Sequence, residues 1–138
     1  MTTEPVLGWR LWHVRETSAG YRLGSWTRNA EWPAARRVEA RCRRHDAPRA
    51  GHRCGIYAFR TRALAEELLR RCAPLSLAGC RPVALGSVSL WGRVVPHADG
   101  WRAQFAYPYE LFLLGGDAGV ARDLRDGYAV DVTPAALA

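Results

Sequence analysis

Two cysteines and two histidines between positions 42 and 54 carry the most specific chemistry in this sequence. Cys42, His45, His52 and Cys54 form the arrangement C-x2-H-x6-H-x-C. Thiolate and imidazole are preferred zinc ligands, and four of them suit a closed, structural, tetrahedral site. Gly55 follows directly and can adopt the positive φ that turns backbone amides towards a sulfur. The spacing therefore predicts a structural zinc that clamps the ends of this loop.

An ordinary interpretation of the same residues stays open, in which both cysteines are buried thiols and both histidines are polar loop residues. The second pair of potential ligands is the weaker one, because the spacing H-x-C is less diagnostic of a zinc site than C-x2-C. Asp46 is the one carboxylate inside the cluster, so the sequence offers no well-separated general base. We therefore expect any zinc here to stabilise the fold and not to catalyse a reaction.

The chain is basic, with a formal net charge of +7, and all of its 20 Lys or Arg positions are arginine. Guanidinium groups pair with phosphates and stack on bases, so arginines around the predicted zinc loop indicate a nucleic-acid or acidic protein partner. The alternative is a solvated face enriched in arginine by a high-GC coding bias. The candidate binding residues are Arg41, Arg43, Arg44, Arg49 and Arg53.

A second candidate site lies along the segment from 97 to 110. His97, Arg102, Tyr107 and Glu110 could line a small pocket, with Arg102 binding an anion and His97 or Glu110 moving a proton. Such residues also occur at hairpin ends for solubility alone. This segment supports the competing hypothesis of a small enzyme or ligand-binding protein.

The secondary-structure pattern predicts an α+β fold, with a small, mostly antiparallel sheet and one main amphipathic helix packed on it. Thr61 is a candidate N-cap, and apolar residues recur at spacing four through residues 61–73, which Pro74 ends. Predicted strands cover an opening hairpin around 8–23, an alternating segment from 36, residues 56–59, and a hairpin from 84 to 107. The signal in residues 117–126 is weak and indicates a helix or a loop. Residues 128–132 indicate an edge strand.

The segments that carry these predictions resemble a family of small, uncharacterised bacterial proteins. The resemblance covers residues 40–110 and rests on Cys-x2-His, on Cys-Gly-Ile-Tyr-Ala at 54–58, and on the segments Leu-Trp-Gly and Gly-Trp-Arg-Ala that follow. It implies one domain and favours a metal at the Cys/His cluster, and it implies no reaction.

Length and composition predict a single domain over residues 1–138, with a loose tail from about 134. No apolar run approaches the ~20 residues of a membrane span, and we expect a cytoplasmic protein without membrane contact. Four cysteines in that compartment favour thiols or metal ligands over disulfides.

The leading hypothesis is a non-enzymatic, zinc-stabilised binding or adaptor domain. The sequence leaves the oligomeric state open.

Overall fold

The structure is a computed structural model that describes residues 4–26, 30–41, 48, 54–76 and 81–136, without the side chains of residues 73–76. These ranges form seven strands and two helices. In chain order they are β1 (Val6–Thr17), β2 (Gly20–Ser25), β3 (Val38–Glu39), β4 (Ile56–Phe59), α1 (Arg62–Ser76), β5 (Val83–His97), β6 (Gly100–Leu114), α2 (Ala118–Tyr128) and β7 (Asp131–Ala135).

The predicted α+β class, with one main helix on a small sheet, is wrong because the sheet dominates the molecule. Strands β5 and β6 are 15 residues long each and pair along almost their whole length. Pro108, which directly follows the predicted end of the second strand at 107, lies within β6 opposite Val88, beside a register shift. A bulge accommodates a proline without ending the ladder, since one residue there needs no inter-strand partner.

Four strands close into a ring. Residues 6–13 of β1 pair with β5, and Trp9 of β1 also pairs with Phe59 of β4. Strand β4 then pairs with residues 100–103 of β6, which in turn pairs with β5. The order β1-β5-β6-β4 therefore returns to β1, and its inward side chains share one enclosed core.

Two glycines permit the close approach of backbones that this ring requires. A Cβ atom at Gly100 would lie 1.9 Å from the carbonyl oxygen of Ala58, and one at Gly8 would lie 2.6 Å from the Cβ of Ala58. Only a residue without a side chain fits at such distances. Gly8, Ala58 and Gly100 thus bring β1, β4 and β6 together where the ring closes.

The two helices cover opposite sides of the sheet. Ala65 and Leu69 of α1 pack with Leu11 and Leu85, whereas α2 packs against the larger cluster that also fills the ring. The hydroxyl of Thr61 accepts a hydrogen bond from the Leu64 amide, as its predicted role as N-cap requires. Neither helix in the described ranges has the length and apolar character needed to span a membrane.

Residues 30–41 lie over one end of the ring. The Trp32 amide donates to the carbonyl of Leu23 at 2.8 Å, and its ring meets Trp12 edge-on at 5.4 Å. The alternating pattern from Arg36 predicts a longer strand than the two residues of β3, whose Val38 pairs with Ala106. After α2, strand β7 pairs in parallel with β6, and this pairing includes Pro134 and Ala135 of the expected tail.

Candidate functional site

Phe105 is the centre of an arginine-rich, partly aromatic surface on the outside of the ring. Its ring lies 5.9 Å from that of Trp91, the residue opposite it on β5, with an angle of 33° between the planes. The guanidinium carbon of Arg37 lies 4.0 Å from the Phe105 ring centroid. Both aromatic side chains are half-buried, so their rings keep contact with solvent. This arrangement holds a guanidinium in place by a cation–π contact.

A bulge in β5 adds a further arginine to the same surface. Gly92 has a φ of 77°, and a Cβ atom there would lie 2.7 Å from the Phe105 ring. The register shifts between Trp91 and Val94, and the amide of the exposed Arg93 donates to the side-chain oxygen of Gln104 at 3.1 Å. The glycine is therefore required both for the turn and for the space that Phe105 occupies.

The neighbouring chain segment contributes the remaining charges. The Ala40 amide donates to the carbonyl of Gln104 at 2.8 Å, which places the exposed Arg41 directly after a residue tied to β6. We use the name Phe105 surface for these residues and their exposed neighbours, which are Arg36, Arg37, Glu39, Arg41, Trp91, Arg93 and Phe105. It contains four arginines and one carboxylate. None of the four forms an ion pair within the described part of the chain.

Such a surface can bind an anion that also has a flat aromatic group. Guanidinium groups bind phosphate oxygens, and aromatic rings and guanidinium planes both stack on nucleobases. Of these residues, Arg41 is among the binding residues predicted from the sequence, whereas Phe105 and Trp91 are not. The available signal was the strict alternation from Arg36, which places Arg37 and Glu39 on the outward side.

The other arginines predicted to bind nucleic acid, Arg43, Arg44, Arg49 and Arg53, lie outside the described residues. Arg41 is described and exposed. The predicted role of Arg43, Arg44, Arg49 and Arg53 in binding nucleic acid therefore stays a prediction from the sequence.

The sequence-based description of this chain as a metal-binding protein has to be corrected. Among the residues that the structure describes, no group of three or more His, Cys, Asp or Glu side chains could hold a metal ion. Cys54 is buried next to the ring, while Cys42, His45 and His52 lie outside the described ranges. We therefore do not retain zinc-binding or metal-binding as a description of the chain, and the zinc itself stays an untested expectation of the sequence.

The four residues predicted to line a pocket lie at different places along the hairpin. His97 and Arg102 both neighbour Tyr57, whose ring lies 4.9 Å from that of His97 and whose backbone pairs with Arg102. Arg102 donates to the carbonyl of Cys54 at 2.9 Å. This contact ties the end of the Cys/His segment to β6.

Tyr107 and Glu110 lie further along β6. The Tyr107 hydroxyl donates to the carbonyl of Tyr128 at 2.8 Å and accepts from the Ala35 amide at 3.2 Å, so it holds two backbone segments in place. Glu110 borders an open groove of about 550 Å³ between β6, β7 and the end of α2. The groove is lined by Tyr109, Glu110, Arg125, Ala129, Val130 and Asp131. Its walls carry charges of both signs and therefore favour no class of ligand.

No protein family, curated protein or solved structure matches this chain. The resemblance to small bacterial proteins therefore stays a prediction from the sequence.

Proposed function

We propose that this chain is a non-enzymatic binding domain for single-stranded nucleic acid, and that the Phe105 surface makes the contact. The observation that carries the proposal is the Arg37 guanidinium held 4.0 Å from the ring centroid of Phe105, whose ring also lies 5.9 Å from that of Trp91. This places a cation for a phosphate next to aromatic faces for bases. Trp91 and Phe105 lie on paired strands, so we expect little backbone entropy to be lost when a nucleic-acid strand binds.

Single strands are favoured over duplexes and over acidic proteins by the half-exposed aromatic rings. A duplex hides its base faces, whereas an unpaired base can stack on Trp91 or Phe105. An acidic protein would use the arginines but would gain little from the rings. The single carboxylate of the surface, Glu39, leaves a net positive charge that attracts any polyanion. We expect an affinity that falls steeply with salt and has little sequence preference.

Fluorescence anisotropy with a labelled, mixed-sequence single-stranded oligonucleotide tests this proposal. Arg37→Gln and Arg93→Gln should each lower the slope of log affinity against log salt by about 0.7, the value for one lost phosphate contact to a single strand. Phe105→Leu keeps the apolar volume but removes the stacking face, and it should weaken binding by roughly tenfold. Arg70→Gln and Arg122→Gln are matched controls, since both arginines are exposed on the helices and lie outside the Phe105 surface.

The proposal is wrong if the wild-type protein does not bind the oligonucleotide at low salt, or if the two helix controls weaken binding as much as the Phe105-surface variants. Competition with a glutamate-rich peptide of the same length and charge distinguishes an acidic protein partner from nucleic acid. If the peptide competes as well as the oligonucleotide and Phe105→Leu has no effect, an acidic protein replaces nucleic acid as the partner.

A further inference from the structure

Arg10 points into the ring of strands, where the other side chains are apolar. Gly8, Trp12 and Val14 alternate with outward-facing residues of β1 and are buried, and Arg10 lies on their side of the strand. Its partner on β5 is Gly86.

Few polar groups surround this arginine. One terminal nitrogen, Nη1, donates to the carbonyl of Tyr57 at 3.1 Å. Its guanidinium carbon lies 4.6 Å from the ring centroid of Trp32 and 5.5 Å from that of Trp12. The Nε atom is fully covered and has no hydrogen-bond partner in the described part of the chain. Arg10 as a whole residue is half-buried and keeps some contact with solvent.

The charge of Arg10 is not balanced by the described residues. Burial is the one cause that shifts its pKa, which falls to about 10, and no carboxylate contributes. Arg10 therefore stays a cation at neutral pH. A buried cation without a counter-charge is unfavourable, and proteins normally pair such a group with an anion.

Trp12 supplies a second donor on the same face of the same strand. Its indole Nε1 is buried and also has no hydrogen-bond partner among the described residues. Trp32, which packs edge-on against it, satisfies its own Nε1 with the hydroxyl of Ser25 at 3.3 Å. Two neighbouring buried donors, one of them cationic, are therefore both unsatisfied. Buried donors of this kind are rare in folded proteins and call for an acceptor.

We propose that Arg10 and Trp12 form a binding site for the carboxylate of a small organic acid, with the Nε–H of Arg10 and the indole N–H of Trp12 donating to its oxygens. A carboxylate brings one negative charge to the one buried cation. A phosphate dianion would leave an excess charge in an apolar core. The rings of Trp12 and Trp32 favour an apolar or aromatic body on the acid. This site is inside the ring and does not depend on the Phe105 surface.

Nitrogen-15 NMR of the full chain tests the site directly, because arginine Nε–H and indole Nε1–H groups give separate side-chain signals. Arg10→Met and Trp12→Phe identify the two signals by their disappearance. Titration with benzoate at constant ionic strength should shift both wild-type signals in a saturable manner. Acetate should act more weakly, and sodium chloride should have no effect. If neither signal responds to benzoate or acetate, the proposal is overturned.

Thermal unfolding supplies a second measurement. Benzoate should raise the midpoint of the wild-type protein by mass action, and Arg10→Met should remove this response. Arg10→Met replaces an unpaired buried cation by an apolar chain of similar length, so we expect the variant to fold. Trp12→Phe keeps a ring but removes the donor, and it should reduce the affinity for benzoate by about tenfold.

Two results with benzoate and phosphate would contradict the proposed carboxylate site. The same benzoate response in Arg10→Met would overturn the proposal, and so would a response to inorganic phosphate that exceeds the response to benzoate. If Arg10→Met does not fold, the NMR titrations of the wild type and of Trp12→Phe decide instead. Unchanged oligonucleotide binding by Arg10→Met would confirm that the two sites are independent.

Discussion

The Tyr128 hydroxyl donates a hydrogen bond of 2.7 Å to the carbonyl of Trp32, a residue 96 positions earlier in the chain. The same hydroxyl accepts from the Leu23 amide at 2.8 Å. Tyr128 is buried at the end of α2, so one side chain connects this helix to β2 and to the segment over the ring. Both backbone groups would be unsatisfied without it.

Tyr128→Phe should lower the free energy of unfolding by about 1–3 kcal/mol, the cost of leaving buried backbone groups without partners. Urea denaturation measures this change. Tyr109→Phe is the matched control, because Tyr109 is 59% exposed. Equal stabilities of the two variants would show that the Tyr128 hydrogen bonds contribute nothing to the fold.

The same burial predicts how stability depends on alkaline pH. Desolvation raises the pKa of Tyr128 from 10.0 to about 12, partly opposed by the Leu23 hydrogen bond. The unfolded chain therefore loses this proton first, and the stabilising contribution of the neutral phenol is complete below pH 10 and lost between pH 10 and about 12. We expect the thermal midpoint to fall more steeply over this range in the wild type than in Tyr128→Phe. Parallel curves would contradict the prediction.

Local sequence patterns predict the elements whose residues contact residues close to them in the sequence. The spacing-four stripe predicts a helix over 61–73, and α1 forms there, but it continues to Ser76, so the prediction that Pro74 ends it is wrong. The paired strands β5 and β6 follow from alternation around the turn at Asp99 and Gly100. Strand β6 is longer than expected because the bulge at Pro108 depends on its partner strand. The sequence signal for helix α2 is weak because Gly119 and Gly127 lower the helix propensity of this segment. Its stability comes from the core contacts of Leu124 and Tyr128 instead.

The ring and the candidate sites depend on contacts between distant segments, which no local pattern encodes. Large apolar residues lie on both faces of β1, so the sequence does not show that Arg10 faces inward or that Tyr57 and Trp32 surround it. Likewise, the aromatic content does not show that Phe105 faces outward beside Arg37. Residue types are visible in a sequence, whereas the closure of β1 on β4 is a property of the complete fold.

The lowered pKa of His13 predicts that the folded state becomes less stable on mild acidification. Its ring stacks on Trp26 at 4.2 Å, and its pKa is lowered from 6.5 by burial and by Arg15 and Arg81, against a backbone hydrogen bond at Trp26. The unfolded chain therefore gains the proton first, so stability is complete above pH 6.5 and declines as the pH falls below it.

His13→Phe keeps a stacked ring without the titration. Between pH 7.5 and 5.5 the thermal midpoint of the wild type should therefore fall more than that of the variant. An NMR titration of the imidazole gives the pKa directly, and a value above 6.5 would contradict the prediction. Because the other three histidines remain in both proteins, the difference between the two curves isolates His13.

Closure of the ring can be tested at Gly100. A methyl group there would lie 1.9 Å from the carbonyl oxygen of Ala58, a backbone atom that cannot move without separating β4 from β6. Gly100→Ala should therefore lower the free energy of unfolding by about 2 kcal/mol or more, within the range for overpacking.

Gly127→Ala is the matched control for that substitution. Its methyl group would meet the end of the flexible Arg22 side chain at 3.0 Å, which can move, and alanine favours the helix by up to about 1 kcal/mol. We therefore expect the control to match or exceed the wild type in urea denaturation. A Gly100→Ala variant as stable as Gly127→Ala would mean that β4 and β6 do not approach as closely as ring closure requires, because the added methyl group would then have found space between them.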